Sequence, residues 1–156
     1  MDDVTLARAL HVLAVAYWIG GVIFVALVLL PALRRLPGRG AADLFEMLEG
    51  RFGVHAKIAV LLAGASGLWM VWRLDIWDRF ADPAAWWMHA MVGLWAVFAL
   101  ILFVGEPLVL HARFRSWADR DPDGALGRLH RAHVVLAALG AITVLAAILG
   151  AHGALG

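Results

Sequence analysis

The chain has 156 residues, 63% of them hydrophobic and 16% charged, with a formal net charge of +1. Soluble domains are typically about 45–50% apolar and about 25% charged, so this composition points to a membrane protein. Absence of cysteine excludes disulfides, thiolate metal sites and iron–sulfur clusters, and the lack of a basic run argues against nucleic acid as a partner.

Four stretches are apolar and long enough to cross a bilayer, for which about 20 residues suffice. The first covers 6–33. It follows Asp2 and Asp3 instead of a basic segment and is longer than the apolar part of a signal peptide, so it is taken as a helix of the mature fold. Pro37-Gly38-Arg39-Gly40 marks a turn. Residues 43–49, with Leu44, Phe45, Met47 and Leu48, suggest a short amphipathic helix lying on the membrane surface. The second spanning helix is expected over 52–72. Asp82-Pro83 closes the next connection and is placed to cap the third helix, 86–110. Asp121-Pro122-Asp123-Gly124 marks a further turn, and the fourth helix is expected over 129–149. Little chain lies outside these helices. The expected architecture is therefore all-α: a single transmembrane domain over 1–156, an integral membrane four-helix up-down bundle.

Basic residues give the orientation. Of the 13, ten fall in or beside the first and third connections: Arg34, Arg35, Arg39, Arg51, Lys57, Arg113, Arg115, Arg120, Arg128 and Arg131. Only Arg8, Arg73 and Arg79 fall on the other side. The positive-inside rule then places both termini outside and those two connections in the cytoplasm. Trp69, Trp72, Trp77, Trp86 and Trp87 form an aromatic belt at the outer boundary.

Four histidines follow a regular spacing. His11 to His55 and His89 to His133 are both 44 positions; His11 to His89 and His55 to His133 are both 78. The 78-residue offset suggests a doubled helical hairpin with a two-fold axis along the membrane normal. Each histidine lies about eight residues, or about 12 Å, from the midpoint of its helix. His11 and His89 should meet near the outer side, and His55 and His133 near the cytoplasmic side, each pair offering two axial imidazoles to a haem iron. Ala14, Ala59, Gly93 and Ala137, three or four positions on, would leave room for a porphyrin. Arg8 and Arg73 outside, and Arg51, Arg128 and Arg131 inside, could meet its propionates.

Other side chains compete for roles. His130 lies one turn from His133, and His111 ends the third helix, so either could serve the inner site. Met88 and Met91 flank His89 and offer thioether ligands, although methionine there also packs well. Glu106, just before Pro107, lies at a depth where a carboxylate is costly. Lys57 is at a comparable height, so the two could form an ion pair, or Glu106 could handle protons near the inner site. Trp18 and Trp95 are expected near the midplane, as core or as a short path for electrons.

His11-Val-Leu-Ala-Val-Ala-Tyr-Trp-Ile-Gly-Gly, running on to Leu29-Leu30-Pro31, resembles the opening helix of CopD-type copper-resistance membrane proteins, and Arg51-Phe-Gly with its apolar run to Gly67-Leu68 resembles a later helix of that family. The likeness covers about the first 70 residues. HemJ-type protoporphyrinogen oxidases open with a similar His-to-Trp helix, and their Trp-x-His-x-Lys segment is partly matched by Trp87-Met-His89-Ala-Met91, with methionine in place of lysine. In layout, histidines on four helices are similar to membrane b-type cytochromes. These resemblances imply a bacterial inner-membrane protein and leave three functions open. The first is a b-type haem protein, with one or two haems, for transmembrane electron transfer, with quinol as a donor. The second is copper transport, with the same four histidines as ligands. The third is porphyrin oxidation. Expected partners are membrane lipid and quinone, with a homodimer or a larger membrane complex as the assembly.

Overall fold

Asp2 starts the first helix. Its carboxylate accepts the Thr5 amide at 2.6 Å, which satisfies one of the unpaired donors at a helix start and holds the Asp2 carboxyl below its ordinary pKa. In this computed structural model, which describes residues 2–36 and 40–154, helix α1 runs from Asp3 to Leu33. Its turn over Val25–Leu29 is wound as π-helix. Pro31 supplies the reason: its ring crowds the carbonyl four residues back and it donates no N–H, so the helix widens by one residue instead of breaking.

Helix α2 is continuous from Gly40 to Arg73. The separate surface helix expected over 43–49 is absorbed into it: no proline stands between the two stretches, the helix runs through Gly50, and Ala41, Ala42 and Phe45 are buried against neighbouring helices. The turn expected at 37–40 lies largely outside the described residues.

Two 3-10 turns, Trp77–Ala81 and Pro83–Ala85, lead into α3. Asp82 accepts the Ala84 amide at 2.9 Å, so the anticipated cap is present, one turn ahead of the α-helix. Helix α3 is α-helical over Trp86–Leu100 and π-helical over Ile101–Leu110, again around a proline, Pro107. Where a connection was expected, a further helix, α4, covers His111–Arg120. Asp121 then caps α5, Pro122–Ala151, by accepting the Gly124 amide at 2.9 Å. The Asp-Pro pair is thus a helix start, with proline at the first position where its missing N–H costs nothing.

Among the described residues four helical segments, in α1, α2, α3 and α5, are long and apolar enough to cross a membrane, and there is no strand. Helix α1 packs most closely on α2, and α5 lies against both α1 and α3. One core cluster joins Ala14, Trp18, Val22, Val60, Phe98 and Ala137. A second, toward the arginine-rich end, joins Leu30, Phe45 and Leu126. At that basic end Arg34 reaches His130 at 3.1 Å and Arg115 reaches Glu46 at 2.7 Å. At the opposite, terminal end Arg73 pairs with Asp3, and the indole of Trp87 lies on Gly150, where any Cβ would collide with it.

Candidate cofactor site

The four histidines do not meet in two facing pairs. His11 turns to α2: its Nδ1 lies 2.9 Å from the Ala63 carbonyl and 3.2 Å from Ser66 Oγ, and its ring lies on Gly67. His89 is exposed, with its ring edge-on to Phe80 at 5.4 Å. His55 is exposed beside Tyr17, with Nδ1 3.0 Å from the Arg51 carbonyl of its own helix. His133 is half-buried beside Phe45, with Nδ1 3.0 Å from the Leu129 carbonyl. Among the described residues no hydrogen bond or ring contact joins any two of the four.

Rotation about the helix axes explains the difference. Equal depth fixes a position along each helix but not which way the side chain points. On α3, Met88 and Phe98 face inward and are buried, which leaves both His89 and Gly93 outside. Ala14, Ala59 and Ala137 are buried as helix-packing residues of the core, not as walls of a slot beside His89.

The space that does exist lies elsewhere. A cavity of about 660 Å³ runs from the middle of the helices to the basic end. Its wall includes Trp18 and Phe98 from the middle of the helices and Arg113, Trp117 and Arg128 from the basic end. Gly21, Gly53, Ala56 and Ala132 open its walls. Of the four spaced histidines, His133 alone lines it. The His133 Nδ1 contact to a backbone carbonyl fixes the tautomer that keeps Nε2 unprotonated, the state an imidazole needs to bind a metal.

Two polar atoms on this wall are buried and make no hydrogen bond, Trp18 Nε1 and Glu106 Oε2. Glu106 is held by Lys57, which donates to Oε1 at 3.2 Å; Oε2 lies 3.1 Å from the same ammonium, off the hydrogen-bonding direction. The ion pair read from their comparable heights is therefore present. Trp95 donates to the Val60 carbonyl at 2.8 Å and Trp18 stands edge-on to Phe98 at 4.8 Å, so both indoles are core residues.

No protein-family model, curated protein or solved structure matches this chain.

His130, Met88 and Met91 are not on the cavity wall. His130 is held by Arg34, whose guanidinium donates to Nδ1. Met88 is buried in the protein and Met91 half-buried near the terminal end. The side chain of His111 lies outside the described part of the structure. Arg128 is on the cavity wall, and its guanidinium stacks over Trp117 at 4.9 Å. Arg73 is taken by Asp3. Arg113, Phe114 and Trp117 were not legible as site residues: they sit on α4, where the sequence suggests a connection. The small residues at Gly21, Gly53, Ala56 and Ala132 were the signal that could have pointed to the basic half.

Proposed function

We propose that this chain is an integral membrane protein that holds one b-type haem in the basic-end cavity and serves electron transfer. In this reading the four apolar helices form an up-down bundle in a bacterial inner membrane, with the basic end in the cytoplasm and both termini outside. His133 would hold the iron through its imidazole, and Arg113 and Arg128 would meet the propionates. The observation that carries the reading is the imidazole of His133 on the wall of a largely apolar cavity. Cofactor pockets commonly enclose about 300–1,000 Å³ and are lined by apolar side chains with a few placed polar groups. Haem supplies a one-electron couple; the protein supplies the ligand, the dry surroundings and the charge at the rim. A lipid-soluble hydroquinone is the donor class suited to this location.

Copper transport of the CopD type has weaker support. Among the described residues no three His, Asp or Glu side chains gather where they could hold an ion. The test is the absorption spectrum of protein purified in detergent after expression with ample haem precursor. A Soret band with about one haem per chain is expected. Copper without haem, or neither, would remove the reading.

A further inference from the structure

We infer that Glu106 sets the reduction potential of the group held in the basic-end cavity, its carboxylate disfavouring the reduced state. The inference rests on the haem reading above and gives a role to a residue which that reading leaves unused.

Placement carries it. Glu106 is on the cavity wall and Lys57 is not. The Lys57 ammonium lies 3.2 Å from Oε1 and 3.1 Å from Oε2, so both oxygens belong to one ion pair. The negative end of that pair is the one that borders the cavity. The carboxylate is only 14% exposed. On α3 the wall residues before it are Phe98, Ile101 and Leu102, all apolar. On α2, Gly53 comes so close that a Cβ there would lie 3.5 Å from Oε1.

Other charges on the wall are better screened. Arg113 and Arg128 are exposed. Glu46 is tied to Arg115, which is 68% exposed. Glu49 lies one turn nearer the basic end than Gly53. Charges that face water interact weakly through it, whereas a charge in apolar surroundings acts at longer range. Reduction adds one electron, and so one negative charge, inside the cavity. A fixed carboxylate on the wall opposes that charge. This effect is separable from an effect on packing, because the two have opposite signs. A loosened wall that admits water favours the more highly charged oxidised state and lowers the potential, since burial is one of the levers that set it. Loss of the carboxylate alone raises it.

Mediated redox titration of the holoprotein in detergent, followed through the haem absorption bands, is the test. Glu106→Gln should shift the one-electron equilibrium toward the reduced form by roughly threefold or more, a rise of about 28 mV where about 59 mV is a tenfold change. Glu106→Asp keeps the charge and should stay within that margin of the parent. An unchanged or lowered potential in Glu106→Gln, or an equal rise in Glu106→Asp, would overturn the inference and leave the haem reading standing. A parent protein that purifies without haem would remove that reading itself. If Glu106→Gln does not fold, the carboxylate is tested between Lys57→Met and the double variant Lys57→Met/Glu106→Gln. The double variant should then have the higher potential by the same margin, and a smaller difference would overturn the inference.

Discussion

Lys57 and Glu106, on facing turns of α2 and α3, form an ion pair in the basic half of the molecule, with Nζ 3.2 Å from Oε1 and 3.1 Å from Oε2. The lysine is 29% exposed and the glutamate 14%, so neither charge is fully hydrated. Removing one partner strands the other. Lys57→Met should destabilise the protein by about 3 kcal/mol, the lower end of the range for breaking a buried pair, since the lysine still reaches solvent. The double change Lys57→Met/Glu106→Gln should cost clearly less than the sum of the two single changes. Unfolding curves in mixed micelles measure both; strict additivity would mean that the pair is not coupled.

Trp95 is the second interhelical anchor. It donates to the Val60 carbonyl at 2.8 Å, and a Cβ on Gly64 would lie 2.7 Å from its Nε1. Trp95→Phe should cost about 1 kcal/mol for the lost hydrogen bond. Gly64→Ala should cost about 1–3 kcal/mol, because the indole must move off α2 and gives up that bond. The same unfolding assay reads both, and an unchanged Gly64→Ala protein would show that the indole has another place to go.

At the start of α5 the Asp121 carboxylate accepts the Gly124 amide. Asp121→Ala should lose about 1 kcal/mol and Asp121→Asn much less, since asparagine caps nearly as well. Because α5 carries His133 only twelve positions further on, hydrogen exchange at 122–126 should rise in Asp121→Ala. Unchanged exchange there would mean that tertiary packing alone fixes the helix start.

The histidines separate by partner. His11→Ala should cost about 1–2 kcal/mol, through the hydrogen bond to Ala63 and the packing on Gly67. His55→Ala and His89→Ala, both exposed, should stay within about 0.5 kcal/mol of the parent protein. A large loss at His89 would indicate a partner beyond Phe80.

The helical fold and four long apolar segments were legible because composition and length decide them. The Lys57–Glu106 pair was legible for a related reason: two charges at one depth in apolar helices have few other partners. The histidine pairing was not. Spacing records depth, while facing depends on rotation, and the π turns around Pro31 and Pro107 each shift the face of the helix that follows. The fusion of 43–49 into α2 was hidden because amphipathicity alone does not distinguish a surface helix from the first turns of a longer one. Helix α4 was hidden because its charged residues read as a connection, whereas Ala118 packs with Ala42 and Ala125, and Phe114 against Phe45.

Haem content across histidine variants tests the central claim most directly. The protein, His133→Ala, and the triple variant His11→Ala/His55→Ala/His89→Ala would be purified side by side and their haem measured per chain. Full occupancy in the parent and the triple variant, with loss in His133→Ala, is the expected result. Haem retained by His133→Ala and lost from the triple variant would contradict the account.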